Sequence, residues 1–145
     1  MKTPPVGTRL GPLVIPSVDA AAMKDLAVLL ADPNPIHLDA EAARAAGLGD
    51  RPVNQGPANF GYVLTMLGHA VPRAAIVEFR VRLLANVFAG DRVIAEGRVD
   101  ATQEIEGTER LVCSVWLDVD GGERAVDGSA ILALPYQPKT TPETS

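Results

Sequence analysis

Pro57-Ala58-Asn59-Phe60-Gly61-Tyr62-Val63-Leu64-Thr65-Met66-Leu67-Gly68 is the stretch on which the fold turns. Pro57 stands where a proline commonly opens a helix, at its first position. Phe60, Val63, Leu64, Met66 and Leu67 leave that helix almost no solvated side, and it carries no charge on any face. The charge-free run is longer still, since Pro52 to Pro72 contain no Asp, Glu, Lys or Arg. A membrane span needs ~20 mostly apolar residues. Asn54, Gln55, Asn59, His69 and the flanking prolines interrupt the run, so a helix buried inside a soluble domain is the better reading. Something in the chain must wrap it.

The second half supplies the wrapping. Val77, Phe79, Val81 and Leu83 alternate with Glu78, Arg80 and Arg82, the pattern of a half-buried strand. Gly90-Asp91 marks a turn, after which Val93, Ala95, Gly97 and Val99 alternate with Arg92, Glu96 and Arg98. Leu111, Cys113, Val115, Leu117 and Val119 share one face of a further strand. Asp120-Gly121-Gly122 reads as a hairpin turn into a last strand, Arg124 to Leu134. Upstream, Pro4 to Pro16 reads as extended, anchored by Leu10, Leu13 and Ile15. Ser17 is a candidate N-cap for a helix with Ala22, Met23, Leu26, Leu29 and Leu30 at helical spacing. That helix should end near Ala31, before Pro33. Asp39 can cap a short helix, Ala40 to Ala46, that Gly47 closes.

Helices followed by an antiparallel meander give an α+β fold: one domain, 1–135, with a curved antiparallel sheet around a long central apolar helix. Residues 136–145 are expected to be a mobile tail. Sheet edges are commonly covered by a second subunit, so a homodimer or larger assembly is expected. A net charge of −5 and a pI near 4.9 argue against a broad nucleic-acid surface. Cys113 is the sole cysteine, which rules out an intrachain disulfide and a cysteine-built metal site. In an alternating strand it is expected to be inert packing. With no apolar leader behind Met1-Lys2-Thr3-Pro4-Pro5, a cytoplasmic location is the simplest expectation.

The chemistry-bearing stretch is Asp32-Pro33-Asn34-Pro35-Ile36-His37-Leu38-Asp39. Asp32 and Asn34 each precede a proline, and proline pushes its predecessor toward extended backbone. A stiff loop should therefore hold Asp32 and His37 in fixed relation, an acid and a base able to activate water. His37 is one of two histidines; the other, His69, lies at the far end of the apolar helix and suits its C-terminal dipole. The start of that helix offers free N–H groups and positive potential to a developing oxyanion. Gly56 is the donor of choice there, because Pro57 has no N–H. Asn34 is expected to orient the loop through side-chain bonds, and Asp39 to cap. Asn54, Gln55 and Asn59 either line the site or cap the helix start. Arg80, Arg82 and Arg92 can meet phosphates or simply face solvent.

Asp-x-Asn-Pro-x-His-x-Asp, then a Gly-terminated short helix, then a loop ending in Gly before a long apolar helix, resembles the MaoC-like dehydratases of the hotdog fold. These include the (R)-specific enoyl-CoA hydratases and 3-hydroxyacyl thioester dehydratases of fatty acid metabolism. The resemblance covers residues 17 to 100 and implies a lyase. Asp32 and His37 would activate the water that adds to, or leaves from, the 3-position of an acyl thioester. The Gly56 N–H would polarise the thioester carbonyl. It also implies a CoA or acyl-carrier-protein thioester as substrate, no cofactor and no metal, and an acyl tunnel beside the central helix near a subunit interface. The family usually has Ala-His-Gly before the helix, where this chain has Asn54-Gln55-Gly56, and an apolar residue where it has Pro57. Those departures motivate a competing reading, a non-catalytic acyl-thioester-binding subunit of a hetero-oligomer. A hotdog thioesterase uses a similar frame, but the paired Asp and His suit hydration better.

Overall fold

A computed structural model describes residues 2–138 of the 145-residue chain. Strand β1 (Arg9–Ile15) leads into helix α1 (Ala20–Leu29), a 3-10 turn (Pro35–His37) and helix α2 (Ala40–Ala45). Helix α3 (Gly56–Ala70) follows, then strands β2 (Ala75–Leu83), β3 (Val93–Ile105), β4 (Thr108–Val119) and β5 (Arg124–Ala133). The five strands form one sheet in the order β1-β3-β4-β5-β2, every pair antiparallel. The α+β expectation holds. The tail expected at 136–145 lies mostly outside the described residues.

The period-two pattern read from the sequence sets the register. Val93, Ala95 and Val99 of β3 and Leu111, Cys113, Val115 and Leu117 of β4 all turn to one face and are buried. Ala130 and Leu132 of β5 extend that face, since Cys113 pairs with Ala130 and Leu111 with Leu132. Val63, Met66 and Leu67 of α3 lie fully buried against it. The opposite face is half-exposed and polar, where Arg124 pairs with Asp118 and Asp127 over the Trp116 ring. At Gly128 the backbone of β2 comes so close that a Cβ would lie 2.0 Å from the Arg80 carbonyl oxygen.

Five expectations change. Asp19, not Ser17, caps α1, accepting the Ala21 N–H at 2.8 Å. The buried face of α1 is Met23 and Ala27, and Val28 and Leu29 stand 82% and 80% exposed. Helix α3 starts at Gly56, so Pro57 is its second residue, and it runs to Ala70. Nor is α3 wrapped all round: the sheet covers one face, and Pro57, Thr65, Gly68 and His69 are exposed. Strand β2 is an edge strand, which explains why Val77 and Leu83 are 48% and 51% exposed despite their alternation. No helix among the described residues is long and apolar enough to cross a membrane.

Candidate active site

Short polar side chains build the Asp32–His37 loop one bond at a time. The Asp32 N–H returns to the Ala27 carbonyl at 3.0 Å, tying the loop to the end of α1. Asp32 Oδ1 accepts the Asn34 N–H at 3.1 Å. Asn34 Oδ1 in turn accepts the Ile36 N–H at 3.3 Å and caps the 3-10 turn, with Pro35 in its first turn. Asn34 therefore has the loop-orienting bond expected of it. Asp39 accepts the Glu41 N–H and caps α2, also as expected.

The imidazole of His37 is held from the other side. Its Nδ1 lies 2.6 Å from the Val53 carbonyl oxygen. A carbonyl only accepts, so the proton of neutral His37 sits on Nδ1 and the Nε2 lone pair is free. That Nε2 is 3.5 Å from Asp32 Oδ2. The His37 side chain is 12% exposed and that of Asp32 36%. Two acceptors at this separation can take both hydrogens of one water molecule, and whichever of them keeps a proton turns that water into a nucleophile.

Val53 leads into the start of α3. The Val53 N–H donates to the Ile36 carbonyl at 2.9 Å and the Asn54 N–H to the Val87 carbonyl at 2.7 Å. These bonds strap three segments together: the His37 loop, the approach to α3 and the β2–β3 connection. Between them lies a cleft of about 340 Å³, bordered by His37, Asn54, Gly56, Asn59, Leu83 and Asn86 among others. Gly56 suits its place: a Cβ there would lie 2.9 Å from Leu83 Cδ1. The glycine thus keeps the helix N-terminus open to the cleft.

Asn54, Gln55 and Asn59 are the buried polar residues among those described. They separate into two roles. Asn54 Nδ2 donates to Asn59 Oδ1 at 2.8 Å, and both side chains border the cleft. Gln55 turns away from it, 1% exposed, and its Nε2 donates to the Met23 carbonyl at 2.8 Å. Its Oε1 is buried without a partner. Although Gln55 is the N-cap residue of α3, its side chain makes no capping bond, so it ties α1 to α3 instead. Tyr62 stands next to Asn54, and burial pushes its phenol above the usual range, against the opposing pull of the Asn54 amide.

Asp32 borders a second hollow, about 550 Å³, with Lys24, Val28 and Leu38. His69 lies far along α3, beside Gly11 and Pro12. Arg80 and Arg92 pair with Glu78 and Asp120, and Arg82 borders a different hollow with Phe60. Leu83, Leu84, Ala85 and Asn86 were not foreseen at the cleft. They arrive there because Val53 bridges to Phe88, a contact no local pattern announces. Among the described residues, no group of three or more His, Cys, Asp or Glu is placed to hold a metal ion.

Residues 11–116 match the family model described as MaoC like domain. The chain belongs to the MaoC-like domain family. An (R)-hydratase from A. caviae involved in PHA biosynthesis superposes with a TM-score of 0.82 at 28% identity, over 93% of this chain and 100% of that one. An unliganded R-hydratase from Pseudomonas aeruginosa gives 0.77 at 20% identity, over 97% and 92%. A chain of the ChsH1–ChsH2 complex from Mycobacterium tuberculosis gives 0.78 at 22% identity, over 92% and 100%. At those lower identities the likeness shows the shared hotdog fold alone. No curated protein sequence matches the chain.

Proposed function

We propose that this chain is an (R)-specific enoyl thioester hydratase and 3-hydroxyacyl thioester dehydratase. The observation that carries the reading is the His37 ring, its Nδ1–H donated to Val53 and its Nε2 facing Asp32 Oδ2 at 3.5 Å, beside a cleft that Gly56 also borders. Water held by Asp32 and His37 adds its oxygen to C3 of a trans-2-enoyl thioester, and its proton passes to the pair. The electrons of the C2=C3 bond move to the thioester oxygen, giving an enolate that the Gly56 N–H and the positive end of α3 stabilise. Protonation at C2 completes the addition, and dehydration runs the same steps backwards. The reaction is redox-neutral, so electrons and protons balance within substrate, water and the two side chains.

The (R) preference is carried over from the A. caviae enzyme, whose printed name is an (R)-hydratase. Its thioester carrier is CoA or an acyl carrier protein. The chain works as a homodimer or larger assembly in this reading. Edge strand β2 supports that, with Ile76, Val77 and Leu83 43%, 48% and 51% exposed along an unpaired side. Short, medium and bulky trans-2-enoyl-CoAs mixed with the purified protein should lose their conjugated thioester absorbance. A folded oligomer that turns over none of them defeats the reading. Turnover appearing only with a second chain would favour the hetero-oligomer instead.

A further inference from the structure

Helix α3 is poor in free backbone donors where the site needs them. Four N–H groups open at a helix start. Pro57 has none, and the Ala58 and Asn59 N–H groups bend back to the Gln55 carbonyl at 3.1 and 3.3 Å. That leaves Gly56 as the first-turn backbone N–H without a protein acceptor among the described residues. One side chain can make up the deficit. Asn59 stands three residues beyond Gly56, on the same helix face, and both border the cleft with His37. Asparagine is a weak helix former, and here it interrupts an apolar helix at a position 2% exposed. Its Oδ1 is already occupied by Asn54 Nδ2 at 2.8 Å. The amide end that remains is Nδ2, a donor, which has no protein acceptor among the described residues.

We propose that Asn59 Nδ2 is a second hydrogen-bond donor to the thioester oxygen, beside the Gly56 N–H, and that Asn54 is the positioning residue that fixes which end of the Asn59 amide faces the cleft. The inference rests on the hydratase reading for its substrate. An oxygen that gains charge in the transition state is the partner that rewards such a free amide donor at the cleft most. The donor replaces what Pro57 removed from the helix start.

Two variants test it. Asn59→Leu deletes the donor at similar volume. Asn59→Asp keeps the oxygen that Asn54 needs, loses the N–H, and guards against a folding defect in the leucine variant. Turnover of trans-2-hexenoyl-CoA should fall about 100-fold in kcat, with KM within about threefold. In parallel, 2,4-hexadienoyl-CoA is bound to Asp32→Asn protein, where donors to the carbonyl shift its absorbance to longer wavelength. Adding Asn59→Asp should remove much of that shift. A kcat within threefold of wild type, a loss confined to KM, or an unchanged shift overturns the assignment. Wild-type protein that shows the Asn59-dependent shift but no hydration would sink the hydratase reading and leave the donor standing. Normal hydration with indifferent Asn59 variants would do the reverse, and no binding of the dienoyl thioester would overturn both.

Discussion

Removing the His37 ring should destabilise the protein, and one particular replacement should restore it. In His37→Ala the Val53 carbonyl loses the 2.6 Å bond from Nδ1. Val53 is 4% exposed and the His37 side chain 12%, so this carbonyl loses its partner in a largely dry setting. An acceptor left unpaired in such surroundings costs about 1–3 kcal/mol, and the vacated ring volume adds to it. We expect about 2 kcal/mol, which lowers Tm by ~6–10 °C in a chain of this size. In His37→Asn the amide nitrogen occupies the position of Nδ1. It should donate to Val53 again and bring Tm back to within ~3 °C of wild type, while Nε2 and with it hydration stay lost. Asp32→Asn keeps an oxygen for the Asn34 N–H, bonded at 3.1 Å, on a side chain already 36% exposed. Its Tm should move by less than ~2 °C. Thermal unfolding followed by circular dichroism, with the four proteins side by side, measures all of this. If His37→Ala melts with wild type, or His37→Asn melts as low as His37→Ala, the Val53 bond does not fix the ring. The assignment of the proton to Nδ1 would then fall.

The Gly128 contact should be equally decisive for the sheet: a Cβ 2.0 Å from the Arg80 carbonyl and 2.7 Å from Val81 Cα forces β5 and β2 apart, so Gly128→Ala should lose about 3 kcal/mol or more in denaturant titration. Stability within 1 kcal/mol of wild type would mean that the two strands are not so close. Cys113 gives a pH-dependent test. Burial, aided by Asp100, pushes its thiol up to about 11 from an unfolded value of 9.0, so the folded state holds the proton longer than the unfolded chain. Its contribution to stability is intact below about pH 9 and is lost as pH rises toward about 11, by ~2–3 kcal/mol in all. A Cys113→Ala variant should show a shallower decline over that window, and an identical slope would contradict the shift. Native protein at pH 8 should also leave Cys113 unmodified by a thiol reagent until it is unfolded.

Much of the scaffold was legible because it is written in short-range periodicity. The alternation through Val93–Val99 and Leu111–Leu117 named the buried face of β3 and β4 residue by residue. The two-proline loop was legible too, since Asp32, Asn34 and Asp39 act on backbone groups two residues away. What depends on distant partners was not. Leu29 was grouped with Met23 by helical spacing, yet Met23 is buried and Leu29 is 80% exposed. Adjacent Asn54 and Gln55 look alike as buried amides, and only the fold sends one to the cleft and the other to the Met23 carbonyl. Leu83 to Asn86 reach the cleft through the Val53–Phe88 bridge, more than thirty positions apart in sequence, which no local pattern encodes.

We propose that Asp32 and His37 together add water to an enoyl thioester. The most direct test is the rate and chirality of the product formed from one trans-2-enoyl-CoA by wild-type protein and by Asp32→Asn of matched Tm. Wild type should give (R)-3-hydroxyacyl-CoA, and the variant should react about 100-fold or more slowly. Equal rates from the two proteins, or an (S) product, would contradict the proposal.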